Sequence, residues 1–171
     1  MRNFSVICRT CHTKTPYTQP ITACPNCGEN WLDAIYEDDS QALQDWRTRL
    51  CTHGANLWRY RERLPLRDDA NIVSLGEGWT PLLRAHNLGL MLGHANIFIK
   101  DERQGPTGSF KDRQATLAIS ALKEAGITEA VVASTGNVAI AFSAYAARAG
   151  IKLWVFVTSS VPADKMREGA L

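Results

Sequence analysis

The chain has 171 residues, 45% of them hydrophobic and 21% charged, with a formal net charge of +2. Such a composition is globular, and the length suits about one domain with a small module. The charge excludes bulk attraction to nucleic acid or an anionic membrane, no apolar run is long enough to span a bilayer, and the first seven residues lack a signal peptide's apolar core. The expected setting is therefore cytoplasmic, with neither nucleic acid nor membrane as partner.

Residues 1–35 carry two Cys-x-x-Cys pairs, Cys8 with Cys11 and Cys24 with Cys27, separated by twelve residues. Two such knuckles supply four thiolates at tetrahedral spacing, which predicts a structural zinc in a zinc-ribbon-like module. A closed four-cysteine site leaves no open coordination position, so the metal would stabilise the fold and take no part in chemistry. About 35 residues bury too little apolar surface to fold unaided. A thioredoxin-like redox pair fits poorly, because neither pair opens the helix of a βαβ unit. Arg2, Arg9 and Lys14 face Glu29 and Asp33, which is no basic patch for nucleic acid. Pro25 and Gly28 suit a tight second knuckle, whereas His12 stands where the first would favour glycine.

Residues 36–70 read as a helical and aromatic connecting arm. Ser40 suits a helix cap, and Leu43, Trp46, Arg47 and Leu50 recur at helical spacing. The arginines of Trp58-Arg59-Tyr60-Arg61 are offset by neighbouring acids, so packing on the main body is favoured over RNA binding. Cys51 and His53 lie in this arm, and a lone Cys-x-His there is read as structural.

From residue 71 the pattern becomes α/β. Ile97-Phe98-Ile99-Lys100 reads as a buried strand, residues 109–125 as a helix stopped by Gly126, Val131 to Ser134 as a strand, residues 137–149 as a helix ended by Gly150, and Lys152 to Thr158 as a third strand. Strands alternating with helices across short loops point to parallel βαβ units. Ahead of the first helix runs Pro106-Thr107-Gly108-Ser109-Phe110-Lys111-Asp112-Arg113, where Ser109 can cap and Asp112 can reach back to the cap amide. Lys111 then lies where the helix dipole least favours a cation, which suits an amine nucleophile. The spacing of Gly105, Gly108 and Lys111 is wrong for a P-loop, so nucleotide binding is rejected. Ser134-Thr135-Gly136-Asn137 joins a strand to a helix start and predicts a site for a carboxylate or phosphate.

Together with Leu75-Gly76-Glu77-Gly78-Trp79-Thr80-Pro81-Leu82, these two loops in this order resemble the pyridoxal-phosphate enzymes of fold type II, and among them the threonine synthase family. Cys24-Pro25-Asn26-Cys27-Gly28 resembles the zinc-ribbon leaders of some members. The resemblance implies that residues 71–171 are the N-terminal part of a pyridoxal-phosphate-dependent α/β catalytic region. It further implies that Lys111 binds the cofactor as a Schiff base and then acts as the base, with Phe110 along the ring and Asn137 at the ring hydroxyl oxygen. Ser134, Thr135 and Gly136 would hold the substrate carboxylate, with Lys100 and Arg113 as candidates for its phosphate. The implied reaction turns O-phosphohomoserine and water into threonine and phosphate, a carbon-oxygen lyase chemistry on a phosphorylated amino acid, with a homodimer expected of the complete enzyme. Cysteate synthase and threonine dehydratase are the alternatives within this chemistry, and a non-enzymatic zinc-ribbon interaction protein is the alternative outside it. Residues 159–171 contain no cofactor-phosphate loop, and the expectation is an N-terminal fragment inactive alone.

Overall fold

The computed structural model describes residues 4–18, 21–36, 48–159 and 167. The expected helix around Leu43, Trp46 and Arg47, and most of the stretch 161–171, lie outside the described residues. The first sheet is antiparallel with order β2, β1, β3, built from β1 (Phe4–Cys8), β2 (Lys14–Pro16) and β3 (Leu32–Tyr36). Phe4 stacks on Tyr17 with ring centroids 4.5 Å apart and leans on Tyr36 at 6.1 Å, closing the end of the sheet away from the cysteines. Cross-strand aromatic contacts of this kind give a small sheet its packing where no second layer exists.

The arm is a 3₁₀ helix over Leu57–Arg63, entered through Asn56, whose side chain accepts the Trp58 amide at 2.9 Å. Trp58 is buried on the body, consistent with the reading of a packed arm. Arg67 ties this segment to the first sheet by donating from its guanidinium to the Thr18 carbonyl at 2.8 Å. The backbone amides of Arg67 and Asp68 donate to the Glu124 carboxylate, at 3.0 and 2.7 Å.

The body begins with β4 (Leu82–Arg84), α1 (His86–Leu92) and β5 (Phe98–Lys100), where β4 and β5 pair antiparallel. Here the structure departs from the expectation of a buried strand at 97–100: Phe98 and Ile99 are 51% and 50% exposed. An apolar run signals a strand, but its partner is the short β4, and the described residues place no helix layer across it.

The expected parallel unit follows. Helix α2 (Lys111–Glu124) leads to β6 (Glu129–Ala133), α3 (Asn137–Ala149) and β7 (Lys152–Phe156), and β6 pairs parallel with β7 from Glu129 beside Lys152 to Ala133 beside Phe156. Parallel neighbours need a crossover, and α3 is that crossover. It ends at Gly150, whose left-handed φ of 70° lets its amide return to the Ala146 and Ala147 carbonyls. The core lies where α2 and α3 meet, formed by Val73, Ala115, Ile119, Ala141, Tyr145, Ala146 and Ile151. Alanines at 115, 141 and 146 let the two helices approach closely, and Leu122, Ala130 and Leu153 seal the sheet side. The opposite sheet face stays open, with Val131, Trp154 and Phe156 exposed.

Candidate functional site

Two sites emerge, one in each part of the chain. At one end of the first sheet, Cys8 of β1 and the loop residues Cys11, Cys24 and Cys27 bring their sulfurs within 4.8 Å of one another. The two knuckles have the same local geometry. The His12 amide returns to the Cys8 carbonyl at 3.0 Å, and the Gly28 amide returns to the Cys24 carbonyl at 2.9 Å. Both turn residues are left-handed, His12 at φ 57° and Gly28 at φ 74°, so histidine takes up the conformation that glycine occupies in the second knuckle. Thr13 Oγ1 lies 3.2 Å from Cys11 Sγ and, with its backbone, draws that thiol down to about 5. The Glu29 backbone favours the thiolate of Cys27, but the crowding thiol of Cys11, burial, and the thiols of Cys8 and Cys24 together push it up to about 12. Four sulfurs gathered this closely are a donor set that fits a tetrahedral divalent cation such as zinc. His53 is turned elsewhere, with Nδ1 2.8 Å from the Arg59 carbonyl oxygen, in keeping with a structural role.

The second site lies around the start of α2. Gly108, at φ 73°, turns the chain into the helix, and the Lys111 amide donates to Ser109 Oγ at 3.3 Å. The cap position is Phe110, without a side-chain cap bond, so Ser109 stands one residue ahead of the cap expected of it, and the Asp112 carboxylate reaches past it to Thr107, accepting its amide at 3.0 Å and its hydroxyl at 2.5 Å. That reach braces the whole Thr107 to Lys111 turn from a buried acid. Lys111 Nζ sits 4.6 Å from the centre of the Phe110 ring, which is itself 56% exposed. An amine beside an open aromatic face at a braced helix start fits a flat, aldehyde-bearing aromatic cofactor.

Lys100 and Arg113 are brought together on Thr80. Lys100 Nζ donates to the Thr80 carbonyl. Arg113 pairs with both Glu102 oxygens at 3.0 and 2.9 Å, and Thr80 Oγ1 donates to Glu102 at 2.8 Å. The guanidinium holds the Glu102 carboxyl below its ordinary range. Both cations are therefore already engaged, Arg113 in an ion pair and Lys100 on a carbonyl.

The loop Ser134 to Asn137 stands at the C-terminal end of β6, where Ser134 Oγ accepts the Gly136 amide at 3.3 Å. Gly136 is extended and gives α3 no side-chain cap, while Thr135 and Asn137 are exposed. Among the described residues no hydrogen bond joins this loop to Lys111. Sequence reasoning assigned no role to Glu77, Thr80, Glu102 or Tyr145, which the fold draws together behind the start of α2. A signal lay in Gly76-Glu77-Gly78, since an acid between two glycines in an apolar stretch has little reason to be there unless something binds it.

Residues 73–168 match the model of the pyridoxal-phosphate dependent enzyme family. Over 145 residues the chain is 39% identical to the threonine synthase of Methanocaldococcus jannaschii, covering 85% of this chain and 35% of that protein. Over 162 residues it is 33% identical to the threonine synthase of Methanosarcina acetivorans, covering 95% of this chain and 38% of that protein. With the threonine synthase of a Synechocystis species it shares 46% identity over 99 residues, 57% of this chain and 26% of that one. The chain thus spans well under half the length of these curated relatives.

Proposed function

Because the chain belongs to the pyridoxal-phosphate dependent enzyme family, we propose that it carries the lysine-bearing part of a threonine synthase-type site acting on O-phosphohomoserine and water to give threonine and phosphate. The observation that carries this reading is Lys111 at the first position of α2, its turn braced by Asp112 and its amine beside the open face of Phe110.

Pyridoxal phosphate, when bound, supplies an electron sink that makes protons on the substrate carbons acidic. Lys111 Nζ would hold the cofactor and, once released from it, take and return those protons. Phe110 would lie along the ring, and the Asn137 side chain would meet the ring hydroxyl oxygen. Ser134, Thr135 and Gly136 would orient the substrate carboxylate, a role suited to an exposed strand-to-helix turn without a side-chain cap. Lys100 and Arg113 can meet the substrate phosphate only by exchanging Thr80 and Glu102 for it.

A structural zinc on Cys8, Cys11, Cys24 and Cys27 belongs to the same reading, as does the division into a module of residues 1–35, an arm of 36–70 and a catalytic region of 71–171. A cytoplasmic setting suits cysteines that form no disulfide among the described residues. The phosphorylated amino-acid substrate and a homodimeric assembly complete the proposal.

The test is borohydride reduction of the protein with pyridoxal phosphate, followed by peptide mass spectrometry. The cofactor mass should appear on the peptide containing Lys111, vanish in Lys111→Ala and persist in Lys100→Ala. Labelling spread over several lysines, or undiminished in Lys111→Ala, would overturn the assignment.

A further inference from the structure

Glu77 is fully buried, yet its carboxylate meets three donors, through four contacts, from two parts of the fold. Ser74 Oγ donates at 3.0 Å, the Leu75 amide at 2.9 Å to Oε2, and the Tyr145 hydroxyl at 2.8 Å, also to Oε2. Ser74 Oγ also reaches Oε1, at 3.1 Å. Burial and the Glu77 carboxylate push the Tyr145 phenol far up, so that it stays the donor. A buried carboxylate is costly unless donors meet it, and this one is met by Ser74 and Leu75 of a strap from residue 74 to residue 80 and by Tyr145 of α3.

The strap is an unusual piece of backbone. Gly76 and Gly78 have φ of 90° and 95°, and Trp79 is left-handed at φ 53°, a rare conformation for a bulky residue. A Cβ at Gly78 would lie 2.7 Å from the Leu57 amide nitrogen, while that amide donates to the Glu77 carbonyl at 2.7 Å. Such a conformation persists only where its surroundings over-determine it. One residue past Trp79, Thr80 donates to Glu102, and Glu102 holds Arg113, two positions beyond Lys111 on α2. On the other side, Tyr145 stands two turns along α3 from Asn137, about 12 Å of helix. A continuous chain of contacts therefore runs from α3 through Glu77 and the strap to the first turn of α2.

We propose that Glu77 is a positioning residue, whose buried contact with Tyr145 sets the start of α2, with Lys111, against α3, with Asn137, through the 74–80 strap. The inference rests on the reading of Lys111 and Asn137 given above. Glu77→Gln keeps the volume but removes the charge on which the Ser74, Leu75 and Tyr145 donors converge, and a charge-assisted hydrogen bond is about twice as strong as a neutral one, so the lock weakens. Tyr145→Phe removes one donor alone and is the gentler probe.

The experiment pairs hydrogen exchange with cofactor trapping on the full chain. In Glu77→Gln and in Tyr145→Phe, exchange should rise about tenfold or more in peptides spanning 55–60, 74–81 and 111–115, with peptides from β6 and β7 unchanged. The pyridoxal phosphate concentration giving half-maximal borohydride labelling of Lys111 should rise by a similar factor, while maximal labelling is kept. Uniform loosening that includes β6 and β7, or exchange confined to 74–78 with unaltered labelling, would make Glu77 merely structural and overturn the proposal. Absence of Lys111 labelling in the unsubstituted protein would instead sink the Lys111 reading, and the link to the site with it, while the exchange arm still decides whether Glu77 locks the strap to α2.

Discussion

Arg113 and Glu102 show how a residue that reads as a ligand in sequence can be occupied in the fold. The guanidinium is the largest influence on Glu102, lowering its carboxyl below the ordinary value. A carboxylate with a lowered value in the folded state adds stability above its unfolded value, and that increment is lost as pH falls through the lower folded one. The pair is partly exposed, so its contribution is modest, about 1 kcal/mol or less. Glu102→Gln should therefore lower the urea midpoint at pH 7 slightly and flatten its fall between pH 5 and the acid limb. An unchanged acid limb would show that the pair contributes nothing to folding. Residue identity made Arg113 visible, whereas its partner was not legible, because Glu102 stands eleven positions away across a turn. The reach of Asp112 to Thr107 escaped for a related reason: the cap rule points three residues back, but the turn at Gly108 brings a farther donor within range.

The elements were most legible where local rules act without competition. Helix α3 covers Asn137–Ala149, as its periodicity and Gly150 predict, and the parallel pair around it follows from the alternation of apolar runs and helical stretches. The stretch 97–100 was half legible: strand from its composition, but exposed because burial depends on neighbours that no local pattern encodes. The cysteine module was legible through spacing alone, since metal-ligand geometry is a local constraint. Among the described residues its sheet has three short strands and one aromatic cluster, so a bound metal should hold it together. We expect one zinc per chain, and chelation should abolish the near-ultraviolet dichroism of the Phe4, Tyr17 and Tyr36 cluster while far-ultraviolet helix signal from α2 and α3 survives. Cys24→Ser should reproduce that loss. Unchanged zinc content in Cys24→Ser would remove the cysteine cluster from consideration as the metal site.

At the scale of the whole molecule, the separate pieces are joined by polar contacts between residues far apart in sequence, which no motif announces. One of them clasps the arm and the segment at Val73 onto α2. Thr116 Oγ1 donates to the Val73 carbonyl at 2.6 Å and accepts the Trp58 indole N–H at 2.9 Å, while Ser120 Oγ accepts the Val73 amide at 2.9 Å. Thr116 and Ser120 are fully buried on α2, on a face that apolar periodicity alone would fill with alanine or leucine. One hydroxyl therefore satisfies two groups that water cannot reach. Thr116→Val preserves shape but strands both, and each stranded group costs about 1–3 kcal/mol. Thr116→Ser keeps the hydroxyl and loses only a methyl, worth about 0.8 kcal/mol. With a melting-temperature change of roughly 2–4 °C per kcal/mol for a chain of this size, Thr116→Val should melt several degrees below Thr116→Ser. Quenching of Trp58 fluorescence by acrylamide should rise in the valine variant if the arm has come loose. Equal melting temperatures for the two variants would mean that the arm is held by apolar packing around Trp58 and that the hydroxyl is dispensable.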